Sequence, residues 1–214
     1  NLDGCCGVKI FMGSSTGDLL VEDDESLKKI ISNINRRFAV HSEDEYRLRD
    51  RRKILDGANV SVKDHPIWRD EETAISSTER LLKIAREVGK RNLHILHIST
   101  NEEIEMISKN KDICTCEVTP QHLFFNSPEC YEALGTLSQM NPPIRDVRHK
   151  KGLWNGINNK IVDVIGSDHA PHTLIEKNKK YPHSPSGMTG VQTLLPILLN
   201  FVNEQKLKLE DVVR

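Results

Sequence analysis

The chain has 214 residues, of which 37% are hydrophobic and 29% charged, and its formal net charge at pH 7 is -1. These totals are typical of one soluble globular domain, so residues 1–214 are expected to form a single domain. The balanced charge argues against nucleic-acid or membrane partners, no apolar run reaches the ~20 residues of a membrane span, and the first ten residues lack the pattern of a signal peptide.

Five short apolar runs rich in β-branched residues predict strands. In chain order they cover residues 8–12, 38–43, 93–99, 113–119 and 161–168. Helix-like segments are predicted at residues 24–36, 71–88, 101–109, 147–157 and 187–203. Alternation of strands and helices, with strands that are almost continuously apolar, predicts an α/β fold with a parallel sheet and helical crossovers. Two long connections, 44–70 and 169–186, interrupt this rhythm, and long loops in such folds are often functional.

The five cysteines are an odd number at uneven spacing, which argues against a disulfide framework. Cys114 and Cys116 lie two residues apart in a predicted strand, so their side chains should share a face. No neighbouring residues complete a zinc site at the usual spacing. We therefore expect buried free thiols and a reduced, cytoplasmic setting.

Polar residues occur within or at the ends of four of the apolar runs. Lys9 lies inside the first, His41 and His97 close the apolar stretches FAVH and LHILH of the second and third, and Asp168 closes the last. Each alone has an ordinary reading, as a surface lysine, a core histidine or a turn-forming aspartate. Together they are more informative, because the carboxyl ends of parallel strands share one face of the fold. Two imidazoles and a carboxylate match a hydrolytic zinc site, and they also suit manganese or iron.

Around these residues the sequence resembles the dihydroorotases, cyclic amidohydrolases of the amidohydrolase superfamily. The resemblance rests on seven segments in the family's order: GVKIFMGSSTG, AVHSEDE, LHILHIST, CEVTPQHLFF, NPPIR, IGSDHAPHT and SPSGMTGVQTLLP. It implies a partial (β/α)8 TIM-type barrel comprising about strands 4 to 8. The family's first strand carries an HxH metal-binding pair, and this sequence contains no HxH. We therefore expect the N-terminal strands, that pair and a substrate-binding arginine to lie outside this chain.

The resemblance also implies a metal centre of one or two ions. Lys9, carrying a carbamate, would bridge the metals, and His41 and His97 would bind the second one. Asp168 would bind the first metal and act as general acid and base. Zinc is the expected ion, and activity of this chain by itself is in doubt without the HxH pair.

The implied substrate is dihydroorotate, whose cyclic amide is hydrolysed reversibly to N-carbamoyl-aspartate in pyrimidine biosynthesis. Asn141 and His172 match family positions that hold the substrate, and the backbone of Ser186 and Gly187 matches a segment that touches its ring. Dimers are frequent in the family, so a homodimer is compatible with the resemblance.

Several other polar residues have readings that are open or structural. Glu117 and His122 are candidates for orienting the metal ligands, with core hydrogen bonding as the alternative. His94, three residues before His97, is expected to face the opposite side of its strand. His169 is expected to be structural. Arg69 is expected to anchor the long loop, with Glu72 as a candidate partner, and His149 resembles an ordinary surface residue.

Two alternatives remain for the function. A hydantoinase, dihydropyrimidinase or allantoinase would share the four metal-site residues, whereas His172 with Asn141 favours a substrate that carries a carboxylate. A dihydroorotase-like chain could also serve as an inactive partner subunit. Such chains tend to lose metal ligands, and the four expected in this segment are present.

Overall fold

The computed structural model describes residues 3–15, 19–90 and 92–214. Five parallel strands form one sheet in which strands consecutive along the chain are neighbours. They are β1 (Gly7–Phe11), β2 (Arg37–His41), β3 (Leu93–Ile95), β4 (Cys114–Val118) and β5 (Val164–Ile165). The predicted α/β fold with a parallel sheet is confirmed. The third and fifth strands are shorter than predicted, because the chain leaves the sheet before the histidine and aspartate that follow them.

Helices connect the strands and follow the last one. They are α1 (Asp24–Asn33), α2 (Glu45–Arg51), α3 (His65–Trp68), α4 (Glu71–Glu87), α5 (Asn101–Ser108), α6 (Pro120–Phe124), α7 (Glu129–Leu134), α8 (Val147–Asn158), α9 (Leu174–Lys177), α10 (Leu194–Asn203) and α11 (Leu209–Val213). The longer crossover helices begin where a side chain accepts a backbone N–H of the first turn. These caps are Asp23, Asp70, Thr100 and Asp146.

The first of the two long connections is more structured than the sequence suggested. The segment 44–70 contains α2, α3 and 3-10 turns at Arg52–Asp56 and Val62–Asp64. The segment 169–186 contains only the single turn α9. The last long helix, predicted from residue 187, begins at Leu194 instead. The preceding residues cross back to the fifth strand's end, where a Cβ on Gly190 would meet the Ser167 carbonyl at 2.3 Å.

The two faces of the sheet differ in burial. One face carries the main core, including Ile10, Val40 and Ile95, and packs against the crossover helices. The opposite face carries a row of residues in register: Lys9, Ala39, His94 and Thr115. These four are half-buried or exposed, in contrast to the core face. The less buried face is therefore the one available for polar chemistry.

A second, smaller core lies beneath the loops that follow the strands. Its buried members are Val62, Cys130, Tyr131, Met140, Ile144 and Tyr181. It ties the 44–70 connection to residues from three later segments of the chain. These loops are thus held by their own apolar packing as well as by the sheet.

Cys114, Cys116 and Cys130 are buried free thiols, as predicted for the first two. Burial raises the pKa of Cys114 to about 11 and that of Cys116 to about 12. Within the described ranges, no helix has the length and apolar character needed to cross a bilayer.

Candidate active site

A small cavity of about 40 Å³ opens at the carboxyl end of the sheet. It is lined by Lys9, Phe11, Ser15, His41, His97, Asn141, Asp168, Ala170, Ser186 and Gly187. The structure thus brings together the four predicted metal-site residues and three of the predicted substrate contacts. They come from the ends of different strands and from the loops above them, as expected for a site in a parallel α/β fold.

His41 and His97 form the buried centre of the site. Each is only 2% exposed, and the distance from His41 Nδ1 to His97 Nε2 is 3.0 Å. His41 is the last residue of β2, whereas His97 lies two residues beyond β3 with a positive φ of 38°. This left-handed backbone turns the His97 side chain towards His41. Burial lowers the pKa of His97 well below its usual value, and the nearby His41 and Lys9 charges act in the same direction.

Glu43 fixes the orientation of the His41 ring. Its carboxylate is fully buried and lies 3.0 Å from His41 Nε2. Although burial acts to raise the pKa of Glu43, the Arg69 charge and the His41 hydrogen bond hold it well below its usual range. An ionised carboxylate only accepts hydrogen bonds, so Nε2 of His41 carries the proton. In neutral His41 the Nδ1 lone pair therefore points to His97.

Arg69 is the partner that keeps Glu43 charged. It is 2% exposed, and its Nη2 lies 2.6 Å from Glu43 Oε2. The same nitrogen donates to the carbonyl of Ser14, at 2.7 Å, in the loop after β1. The prediction that Arg69 anchors a loop is borne out by this contact, but the suggested partner Glu72 was wrong. The pair with Glu43 spans 26 residues, and no local pattern in the sequence signals it.

Asp168 and Lys9 face the same cavity from the two outer strands. Asp168 lies three residues beyond β5 with a φ of 41°, again in the left-handed region. Burial raises the pKa of Asp168, while Lys9 and His41 oppose that shift and Glu117 adds to it. Lys9 is exposed, and its Nζ lies 4.8 Å from the centre of the Phe11 ring.

This donor set has the chemistry of a metal site. His41 and His97 supply two imidazoles, with His41 Nδ1 and His97 Nε2 facing each other, and Asp168 supplies a carboxylate. Glu43 on the far nitrogen of His41 is the kind of partner that orients metal-bound histidines. Among the described residues, the buried Nδ1 of His97 has no hydrogen-bond partner. Protein groups alone therefore leave one nitrogen of the imidazole pair without a partner, and the donor types of the set are those that bind divalent cations.

Asn141 reaches the cavity from the loop between a 3-10 turn, Gly135–Ser138, and α8. Its Oδ1 lies 3.1 Å from Nε2 of His65, a fully buried histidine of α3. The sequence did not single out His65 as a site residue. His65 begins the stretch HPIWRD in a long connection, and the fold alone brings it to Asn141, 76 residues later.

Ser186 and Gly187 form the cavity wall opposite the strands. Gly187 has a φ of 142°, and a Cβ there would lie 2.5 Å from the carbonyl of Ala170. Lys177 holds this wall from behind, since its buried Nζ donates to the carbonyls of Gln139 (3.1 Å), Pro185 (3.0 Å) and Gly187 (3.0 Å). Burial lowers the pKa of Lys177 to about 8. Sequence reasoning treated the surrounding basic stretch only as part of a loop.

His172 lies beside the cavity and is not among its lining residues. Its Nε2 is 3.0 Å from the carbonyl of Ser186 and close to Gly187. His169 points away and accepts the backbone N–H of Gly190 at 3.1 Å, as expected for a structural residue. His172 therefore contacts the wall that the sequence assigned to substrate binding.

His94 and Glu117 form a pair on the less buried face of the sheet. His94 Nε2 lies 3.2 Å from Glu117 Oε2, and His94 Nδ1 lies 2.8 Å from Thr115 Oγ1. The prediction that His94 faces away was wrong, because His94 is in register with Lys9's row of residues. His122 instead bonds to Thr119 Oγ1 at 2.8 Å and to the Pro142 carbonyl at 3.1 Å. The contacts of His122 therefore hold the start of α6 and the Pro142 loop in place.

A second group of metal-type side chains lies outside the cavity-lining set. Ligand atoms of Glu71, Asp146 and His149 approach within 4.8 Å of one another. Asp146 caps α8, and His149 Nδ1 accepts the backbone N–H of Asn101 at 3.1 Å. The prediction of a surface position for His149 was wrong, since this side chain is fully buried. The hydrogen bonds of Asp146 and His149 therefore give this group a structural role, in which it joins the first turns of α5 and α8.

The chain is similar to known proteins along almost its whole length. No protein-family model matches it. A dihydroorotase of Methanosarcina mazei is 36% identical, over 96% of this chain and 47% of the relative. A dihydroorotase of Pyrococcus abyssi is 34% identical, over 96% of this chain and 44% of the relative.

Solved structures show the same relationship at the level of the fold. The L-hydantoinase (dihydropyrimidinase) of Arthrobacter aurescens has a TM-score of 0.88 at 26% identity, covering 96% of this chain and 48% of that protein. The dihydropyrimidinase of Brevibacillus agri has a TM-score of 0.89 at 23% identity, covering 100% of this chain and 49% of that protein.

The chain spans about half the length of the curated relatives it matches. The resemblance to dihydroorotases predicted from the seven segments is confirmed, and the structural neighbours are cyclic amidohydrolases. Thr16 and Gly17 of the first segment lie outside the described residues.

Proposed function

We propose that the protein is a dihydroorotase, which hydrolyses the cyclic amide of dihydroorotate reversibly to N-carbamoyl-aspartate. The observation that carries this proposal is the convergence of Lys9, His41, His97 and Asp168 on one cavity. It occurs in a chain whose curated relatives at 32–36% identity bear that name. Residues 1–214 would form one domain, comprising about strands 4 to 8 of a (β/α)8 barrel.

The metal centre is part of the proposal. His41 and His97 would hold the second of two divalent ions, and Asp168 would hold the first. Lys9, as a carbamate, would be a ligand to both ions. Zinc is the expected metal, with manganese or iron accepted by the same ligands. A bound zinc ion lowers the pKa of its water and polarises the scissile carbonyl. Two further ligands from an HxH pair would complete the first ion's site.

Asp168 is proposed as the group that moves the proton. Its carboxylate lines the cavity, and burial favours its protonated form. A carboxylate oxygen of Asp168 would take a proton from the attacking water and pass it to the leaving nitrogen of the amide. Asp168→Asn should fold like the wild type and lose most of its activity. Near wild-type turnover by that variant would exclude Asp168 as acid and base.

The substrate would be held by the loops around the cavity. Asn141, His172 and the backbone of Ser186 and Gly187 are the proposed contacts. His172 is the side chain proposed for the substrate carboxylate, and its bond to the Ser186 carbonyl, at 3.0 Å, places it next to the wall. A carboxylate-specific contact is what separates dihydroorotase from relatives whose substrates lack that group.

The deciding experiment is turnover by the protein purified from its complete coding sequence. Dihydroorotate, hydantoin, dihydrouracil and allantoin would be assayed side by side with zinc or manganese present. Preferred turnover of dihydroorotate supports the proposal, and turnover of hydantoin alone would replace it with a hydantoinase, the function named for the solved neighbours. No turnover of any of the four, with no metal bound, would favour an inactive partner subunit.

The carbamate on Lys9 has a separate test. Lys9→Ala should lose bound metal, and a short carboxylic acid added to the medium should restore part of it by replacing the missing oxygen ligand. Elemental analysis gives the metal content without relying on turnover. Full metal content in Lys9→Ala without the added acid would argue against the bridging role.

A further inference from the structure

His65 connects the candidate site to the small core beneath the loops. The ring is fully buried in α3 and has three polar neighbours. Its Nε2 lies 3.0 Å from the Met140 carbonyl and 3.1 Å from Asn141 Oδ1, and its Nδ1 lies 3.3 Å from the Tyr181 hydroxyl. Both nitrogens are therefore engaged.

The hydrogen-bond pattern determines where the ring proton lies. A backbone carbonyl such as that of Met140 only accepts, so Nε2 of His65 must carry a proton. Burial, together with the charge of Arg69, lowers the pKa of His65 to about 3, so the ring is neutral near pH 7. Its Nδ1 then has a lone pair, which accepts the hydroxyl proton of Tyr181.

The same proton determines which end of the Asn141 amide faces the cavity. If the amide were reversed, its NH₂ group would meet the Nε2–H of His65, and two donors would face each other. The oxygen of Asn141 must therefore point to His65. In the described part of the chain the Asn141 amide nitrogen has no hydrogen-bond partner, and Asn141 lines the cavity.

We propose that His65 and Tyr181 are positioning residues that hold Asn141 with its NH₂ group towards the cavity, so that Asn141 binds substrate as a hydrogen-bond donor. Its partner is an oxygen of the substrate, either a ring carbonyl or the carboxylate. The inference deepens the proposed function, since dihydroorotate carries both kinds of oxygen.

The packing around His65 makes this orientation rigid. Tyr181 and Met140 are both buried members of the small core. The His65 ring stands edge-on to the ring of Tyr181, at a centroid distance of 5.7 Å, and to that of Trp68, at 6.0 Å. Rotation of the imidazole would break these contacts along with its hydrogen bonds, so the donor side of Asn141 is preset before any ligand binds.

The structural part of the proposal can be measured without turnover. Nitrogen NMR of imidazole-labelled protein should find His65 as the neutral tautomer with its proton on Nε2 across pH 5–8. A proton on Nδ1, or a charged ring in that range, would overturn the inference. This readout holds whatever the substrate is, so its failure is distinct from failure of the proposed function.

The functional part uses steady-state kinetics on the complete enzyme. Asn141→Asp keeps the size of the side chain but replaces the donor with an acceptor. It should raise KM about tenfold or more with a smaller change in kcat, the effect of losing a hydrogen bond to a charged or polar group. His65→Leu should have a similar effect, and His65→Gln, which can still donate to Met140, should restore much of the affinity. An unchanged KM in Asn141→Asp would overturn the inference.

Two further comparisons separate positioning from general damage. The double variant His65→Leu with Asn141→Asp should be little worse than either single variant, because both remove the same contact. Additive losses would contradict the proposal. Tyr181→Phe should weaken binding, whereas the matched change Tyr46→Phe, at an exposed tyrosine, should not. If His65→Leu fails to fold, the His65→Gln, Tyr181→Phe and Asn141→Asp arms still decide the question.

The identity of the substrate oxygen follows from a ligand without the carboxylate. Competitive binding of dihydrouracil and of dihydroorotate would be compared between the wild type and Asn141→Asp. Equal loss for both ligands assigns the contact to a ring carbonyl, and loss confined to dihydroorotate assigns it to the carboxylate. No loss for either ligand would refute the donor role.

Discussion

Arg69→Met should destabilise the protein strongly and in a pH-dependent way. The substitution removes the cation from a pair in which Arg69 is 2% exposed and Glu43 fully buried. Among the described residues, Glu43 would keep only His41 as a polar partner, and the Ser14 carbonyl would lose the Arg69 donor. Breaking one side of a buried ion pair costs about 3–5 kcal/mol of unfolding free energy, because the other charge remains buried and uncompensated.

The sign of the pH dependence follows from the pKa of Glu43. In the wild type this pKa lies below the unfolded value of about 4.3, so its stabilising effect is present above that pH and is lost as pH falls through the folded pKa. Without Arg69, burial raises the pKa of Glu43, and protonation then favours the folded state as pH falls. The stability gap between wild type and variant should therefore be widest near pH 7 and narrow towards pH 4.

Urea unfolding of metal-free protein at several pH values between 4 and 8 measures this gap. A matched control is Arg86→Met, which breaks an arginine–carboxylate pair with Asp112 in which both side chains are about half exposed. That change should be much smaller and nearly independent of pH. The double variant Arg69→Met with Glu43→Gln should recover part of the loss. A gap that stayed constant with pH would show that Arg69 acts through packing and that the charge argument is wrong.

Three other predictions concern the cavity wall and the thiols. Lys177→Met should raise the KM for dihydroorotate by roughly tenfold, since its hydrogen bonds to the carbonyls of Gly187 in the wall and of Gln139 and Pro185 behind it are lost. Exposed Lys179→Met should leave KM unchanged. Gly187→Ala should reduce both activity and thermal stability, because its positive φ and the Ala170 carbonyl at 2.5 Å leave no room for a Cβ; wild-type values for both would contradict this. Iodoacetamide at pH 8 should label exposed Cys6 rapidly and buried Cys116 only on unfolding, and mass spectrometry of the peptides would reveal any early reaction at Cys116.

Much of the fold could be predicted from local sequence patterns. The first, second and fourth strands match their predicted positions to within two residues, because apolar β-branched runs reflect burial directly. The contacts that tune the site could not be predicted in this way. Glu43 meets Arg69 across 26 residues, and His65 meets Asn141 across 76. Such pairs depend on how loops pack above the sheet, which the periodicity of one segment does not contain.

The wrong prediction for His94 shows where the alternation rule for strands ceases to apply. The rule places residues three apart on opposite faces, and it was extended from His94 to His97 as if the strand continued. The strand ends at Ile95, and the positive φ of His97 redirects its side chain to the cavity. Asp168 repeats this arrangement after β5. Non-glycine residues rarely adopt such φ values, and they persist only where the surroundings hold them. The sheet therefore determines how far apart the site residues lie. The backbone immediately after β3 and β5 orients the His97 and Asp168 side chains that the proposed chemistry requires.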